Sequence, residues 1–161
     1  MTEQHAQDDA DRTPALRPEF WRLYALEQLN RTEWEALCDG CGQCCLIKLE
    51  DEDSGEVVYT NVACKLLDCS TGACSDYPHR QQFVPDCIQL SPALLSQIKW
   101  LPSTCGYRRV HEGKDLPRWH HLISGDRSSV IRAKKSVANR CVSENAVAEE
   151  DIEAHVIRWV R

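Results

Sequence analysis

Four of the chain's ten cysteines fall inside "LCDGCGQCC", residues 37–45, and few arrangements can absorb thiols that close together. They must pair as disulfides, hold a metal or stay open. C-x-x-C suits a metal because two intervening residues let both sulfurs turn inward while backbone N–H groups face them. Glycine in the turn permits positive φ. Gly40 and Gly42 stand inside the two successive pairs, where such turns need them. The joined spacing of Cys38, Cys41 and Cys44 is the one bacterial ferredoxins use for three corners of a [4Fe–4S] cluster, the fourth ligand coming from elsewhere. Cys45 follows directly, and adjacent side chains seldom reach one small ion together. Cys44 and Cys45 are therefore expected to face different ligand sets, serving either two Cys₄ zinc ions or one iron–sulfur cluster beside structural thiols.

Compartment separates metal from disulfide. The first twenty residues contain neither a basic n-region nor an apolar core, so no secretory signal is expected. No stretch approaches the ~20 apolar residues of a membrane span. The expectation is a cytoplasmic chain, where thiols stay reduced and clustered cysteines read as metal ligands. At 161 residues the chain is long enough to bury roughly 70% of its unfolded surface, so it does not need staples to fold. A net charge of -6 argues against nucleic acid, which requires an excess of Lys and Arg on one face. The basic concentration from Arg127 to Arg140 reads as a solvated face, and any protein partner is left open.

Histidine is not expected among the ligands. None of the six stands at a C-x-x-H or H-x-x-x-H spacing, and the adjacent His120 and His121 read as surface hydrogen-bonding groups. All-sulfur ligation suits iron–sulfur clusters and zinc and disfavours magnesium, calcium and manganese. Asp86, Glu112, Asp115 and His120 offer acid–base chemistry, but nothing in their order supplies a nucleophile or substrate, so a binding protein is expected rather than an enzyme.

The chain reads as α+β: one small cysteine-rich domain with short helices, a β-hairpin and an irregular middle organised by metal. Residues 1–17, polar and acidic, form a disordered tail, leaving 18–161 as the domain. A helix begins near Glu19, and a capping box on Thr32 and Glu35 starts a second that delivers Cys38. "LIKLE" and "EVVYTNV" flank "DEDSG" as a hairpin from Leu46 to Val62. The acidic tip is a turn, since an EF-hand counted from Asp51 would need Gly where Glu56 stands. "SPALLSQIKWLP" predicts a helix capped by Ser91, opened by Pro92 and stopped by Pro102. A short helix from Ser103 to about Gly113, a strand over Val137 to Val142, and a last helix on Ile152, Val156 and Trp159 complete the pattern.

"EWEALCDGCGQCCL", "TNVACKLLD", "YPHRQQFVPDCIQL" and "WLPSTCGYRRVHEGKDLPRWHHLISG" closely resemble the YcgN-like branch of the YkgJ-type cysteine-cluster proteins, the CxxCxxCC family described as zinc- or iron-chelating. The likeness runs from about Phe20 to near the C-terminus. It implies a metal-binding bacterial protein whose ligands fall on Cys38, Cys41, Cys44, Cys45, Cys64, Cys74, Cys87 and Cys105. An accessory role beside methyl-transfer enzymes is also implied, since a similar cluster accompanies flagellin lysine methylation. Two positions depart from the family pattern. Family members usually carry a further cysteine where Gly72 stands, with Cys69 nearby instead, and Cys141 replaces a small non-thiol residue. The expected function is an all-cysteine iron–sulfur protein with Cys38, Cys41 and Cys44 joined by Cys64, Cys87 or Cys105, in a redox or metal-handling role. The alternative is a zinc-structured interaction module.

Overall fold

The computed structural model describes residues 14–160 and is α+β, built from short elements. Its helices are Phe20–Leu23 (α1), Arg31–Ala36 (α2), Arg80–Phe83 (α3), Pro92–Leu95 (α4), Gly106–His111 (α5), His121–Ser124 (α6) and Ser129–Arg132 (α7). Its strands are Leu46–Glu50 (β1), Val57–Ala63 (β2), Leu67–Asp68 (β3), Ala73–Cys74 (β4), Val142–Ser143 (β5) and Val156–Ile157 (β6). Among the described residues no helix is long and apolar enough to cross a membrane. Of the expected tail, residues 1–13 lie outside the described residues.

The hairpin forms as the alternating pattern implies. β1 and β2 pair antiparallel from Leu46↔Ala63 to Glu50↔Val57, and the Asp51 carboxylate accepts the N–H groups of Asp53 and Ser54 to close the turn. β2 is the sheet's centre: β5 pairs parallel with Val62 and Ala63, while β6 pairs antiparallel with Tyr59 and Thr60. Two apolar clusters carry the fold. One gathers Phe20, Ala36, Leu37, Leu95, Leu101 and Tyr107; the other gathers Leu46, Tyr59, Ala63, Leu67, Val137 and Val160. The cysteine run bridges them, leaving the first at fully buried Leu37 and entering the second at Leu46. Both ends of the run are thereby clamped before any ligand is considered.

Local expectations shift where tertiary contacts win. The cap of α2 is Asn30, not Thr32: Asn30 Oδ1 accepts the Glu33 N–H at 2.9 Å and Glu33 Oε2 accepts the Asn30 N–H at 3.0 Å. Arg17 explains the shift, because its backbone N–H, Nε and Nη2 all donate to the enclosed Glu33 carboxylate. Ser91 and Pro92 open α4 as expected, but it ends at Leu95. Beyond it the carbonyls of Trp100 and Leu101 accept from Tyr59 Oη and Arg108 Nη1, which holds that segment out of a helix. The expected strand from Val137 reduces to Val142–Ser143. The expected last helix is a 3₁₀ run, Glu149–His155, followed by β6, since the remaining edge of β2 captures Val156 and Ile157.

The hydrogen bond and charge of Arg17 hold the Glu33 carboxyl down from its ordinary 4.5 to about 2, against the opposing effect of burial. A group held lower in the fold than in the unfolded chain binds fewer protons when folded, so its stabilisation is full above about pH 4.5 and is lost as pH falls toward 2. Glu33→Gln is expected to be less stable than the parent at neutral pH, and the gap should close across that acid window. Urea titrations of both proteins at several pH values check it; a gap independent of pH would remove the ion pair from the account.

Candidate metal centre

Cys38 leaves the end of α2, its N–H bonded to Glu35 O. Gly40 and Gly42 follow in the left-handed region, at φ 76° and 73°. At Gly42 space matters as well as φ: a Cβ would meet Gly72 O and Val137 Cγ2, each at 2.7 Å. The segment 135–141 lies across the run as a strap. Val137 N–H donates to Cys41 O at 2.9 Å, and buried Gln43 donates from Nε2 to Lys135 O at 2.7 Å. Further sulfurs arrive from other elements. Cys64 follows β2 and donates its N–H to Cys45 O, Cys74 is set opposite Leu67 by the β3–β4 pair, and Cys105 stands at the start of α5.

A cavity of about 420 Å³ collects Cys38, Cys44, Cys45, Cys64, Cys74 and Cys87 on its wall, with apolar side chains such as Trp34, Leu90 and Tyr107 completing it. A neighbouring cavity of about 640 Å³ shares Cys44, Cys45, Cys64 and Cys87 and extends to Lys48 and Trp100. All ten cysteines are free thiols. Cys41 is buried and lines neither cavity, and Cys105 lines neither. Cys38 and Cys44 are open to this cavity, yet protein surrounds them closely enough that burial is the leading cause raising Cys38. Among the described residues no three Cys, His, Asp or Glu side chains converge tightly enough to cage a single ion.

Proton affinities sort the sulfurs. Burial, then the charges of Cys44, Asp39 and Cys105, push Cys38 up to about 12. Burial also raises Cys105 to about 11, with Cys44 and Asp39 contributing, and takes Cys41 well above the ordinary thiol value, with Asp39, Cys44 and Cys38 contributing. Cys45 is raised by the Cys44 hydrogen bond and by burial, then by Cys44, Cys64 and Cys87. Burial raises Cys87 too, and there Cys64 and Cys74 are the sulfur neighbours. Cys38, Cys41 and Cys105 thus have Cys44 as a sulfur neighbour and Cys45 has Cys64 and Cys87, while Cys44 and Cys45 line both cavities together with Cys64 and Cys87. At the Cys44–Cys45 junction the bond from the Cys45 thiol, and then Lys48, lower Cys44.

Burial sets Cys38, Cys41, Cys87 and Cys105 in surroundings that resist negative charge, and thiolate ligands there need a compensating cation. Asp39 adds to that need. Its Oδ1 accepts the Cys41 N–H, while Oδ2 is buried and has no hydrogen-bond partner among the described residues. Sulfur donors, a buried carboxylate oxygen without a partner and apolar walls fit a metal centre by their chemistry. Sequence reasoning missed Asp39 and Lys48, because one residue in a glycine-rich loop and one on an edge strand usually face water.

Other expectations changed. His120 is not on the surface; it is fully buried, its Nε2–H donating to Leu37 O at 2.8 Å and its Nδ1 accepting the Leu122 N–H. His121 Nε2 meets Ala36 O at 2.7 Å. Burial lowers both histidines, so they remain neutral braces that fix the end of α2 just before Cys38. Glu112 is engaged by Arg108 and Lys114, and Asp115 by Arg22 and Trp21. Asp86 lines the larger cavity. Cys69 and Cys141 line neither cavity and contact each other instead.

Residues 37–106 match the family profile described as "CxxCxxCC: Putative zinc- or iron-chelating domain". A UPF0260 protein from Pseudomonas putida is 62% identical over 138 residues, covering 86% of this chain and 93% of the relative. UPF0260 proteins from Ectopseudomonas mendocina and Pseudomonas fluorescens are 61% and 60% identical with the same coverage. No solved structure matches.

Proposed function

Because the chain belongs to the UPF0260 family and carries its zinc- or iron-chelating CxxCxxCC domain, we propose that it is a redox protein holding an all-cysteine iron–sulfur centre. Cys38, Cys41, Cys44 and Cys105 hold a [4Fe–4S] cluster, and Cys45, Cys64, Cys74 and Cys87 form a second sulfur site. The observation that carries this reading is an apolar-walled cavity lined by six cysteines, Cys38 and Cys44 of the first set and all four of the second. Cys105 is chosen as fourth ligand because its neighbour Gly106 packs directly against the Leu37 carbonyl, next to Cys38.

When bound, such a cluster supplies one-electron transfer, at a potential set by burial and by hydrogen bonds to sulfur. The chain's residues supply the setting. Trp34, Leu90 and Tyr107 present apolar surface to the cavity. Lys48, its pKa lowered by burial, brings a positive charge near Cys44 and Cys45, and its ammonium lies 4.3 Å from the Trp100 ring centroid. His120 and His121 brace the backbone that delivers Cys38.

Protein purified without oxygen is expected to be brown, to contain iron and sulfide, and to give an electron paramagnetic resonance signal on reduction. A colourless preparation carrying stoichiometric zinc would reject the iron–sulfur reading. In that second account two Cys₄ zinc ions organise an interaction module, which requires each set to close around one ion more tightly than the described residues stand.

A further inference from the structure

We propose that Cys69 and Cys141 are a reversible thiol-oxidation site, separate from the candidate metal centre, whose disulfide locks the strap 135–141 onto the β3–β4 turn. The two sulfurs lie 3.0 Å apart although 72 positions separate them in sequence. Both residues are half-buried and pack beside the cluster of Leu46, Leu67 and Val137, so they are held in place yet accessible to a small reagent. Neither borders either cysteine-lined cavity.

The backbone explains why they meet. Asn139 occupies the left-handed region at φ 59° and donates its N–H to Cys69 O at 2.6 Å, which folds the strap back so that Cys141 lies against Cys69. Gly72, in the same turn as Cys69, leaves room for Ser136 Oγ, which a Cβ would approach to 2.9 Å. A disulfide bond is about 2.0 Å long, so the sulfurs must close by roughly 1 Å, within reach of side-chain rotation. In the reduced state the contact is a weak S–H···S bond in which Cys141, raised by burial and by Cys69, keeps its proton.

The oxidant is a low-molecular-weight disulfide such as oxidised glutathione. One protein thiolate attacks it, forming a mixed disulfide and releasing one reduced glutathione; the second protein thiolate then displaces the other. The two cysteines lose two electrons and two protons, and oxidised glutathione becomes two reduced molecules. The new bond would tie the turn leading to β4 and Cys74 to the strap that holds Cys41 O and Gln43. It also closes a long loop and so restricts the unfolded chain.

The test uses the full-length, metal-containing protein in anaerobic glutathione redox buffers, followed by alkylation and non-reducing peptide mapping. One disulfide, Cys69 to Cys141, is expected, with unchanged metal content, a melting temperature raised by about 10 °C and full reversal by dithiothreitol. Cys141→Ser and Cys69→Ser should each retain metal and lose the oxidation-dependent shift. Cross-linking to other cysteines, two independently alkylated thiols throughout the glutathione range, or loss of metal in Cys69→Ser would overturn it. Metal identity is read separately, so failure here and failure of the iron–sulfur reading remain distinguishable.

Discussion

Cys41→Ala is expected to lose the metal of one centre, Cys41→Ala with Cys105→Ala to lose no more, and Cys41→Ala with Cys74→Ala to lose both. The expectation follows from the two sets of sulfurs. Cys41 feels Cys44 and Cys38, Cys105 feels Cys44, and Cys74 acts on Cys87. Removing any member of one set abolishes that set's site, so a second deletion within it has nothing left to remove, whereas deletions in different sets add. The effect on folding should be large. A structural metal contributes about 10–16 kcal/mol in small peptides, as much as the roughly 5–15 kcal/mol net stability of a whole domain. Each ligand variant is therefore expected to lose cooperative unfolding, and Cys141→Ala to keep it, because the sulfur contacting Cys141 belongs to Cys69. Elemental analysis with urea titrations monitored by circular dichroism measures both. Equal metal content in Cys41→Ala and Cys141→Ala would sink the assignment, and graded, additive loss inside one set would dissolve the partition.

Much of this arrangement is legible in residue order because short-range chemistry dictates it. Adjacent Cys44 and Cys45 seldom reach one small ion together, so residue order suggests two ligand sets; in the structure both thiols line the two cysteine-bearing cavities. The hairpin turn at Asp51 and the Ser91 cap are likewise local, each needing only side-chain oxygens placed a few residues from their donors. What residue order conceals is set by distant partners. Arg17 moves the start of α2 to Asn30, and the free edge of β2 turns an amphipathic pattern into a 3₁₀ run and a strand. His120 reads as polar, and only the Leu37 carbonyl and Leu122 N–H make its burial affordable. The Cys69–Cys141 contact is hidden for the same reason, since no local pattern joins a turn after β3 to a strap 72 residues later.

Gly106→Ala should be strongly damaging, although Gly106 lines neither cysteine-bearing cavity and its φ is not positive. A Cβ there would strike the Leu37 carbonyl oxygen and come within 3.2 Å of His120 Nε2. Backbone cannot swing aside as a flexible side chain can. The same carbonyl accepts the His120 bond, so three elements meet at one point: the end of α2, the start of α5 and the segment before α6. Leu37 precedes Cys38 and Gly106 follows Cys105, which makes this close approach the contact that sets the start of α5 beside the segment carrying Cys38. An added methyl must pry α5 from α2, at about 1–3 kcal/mol for overpacking and more if the His120 bond breaks and leaves buried groups unpaired. The variant is expected to unfold at lower urea and to lose the metal of the Cys38 set while retaining that of the Cys45 set. Gly113→Ala is the control: Gly113 is also a glycine beside α5, its φ is 73°, and open space surrounds it, so it should pay only the backbone strain and keep both centres. A Gly106→Ala protein with parental metal content would show that the approach of α5 to α2 does not position Cys105.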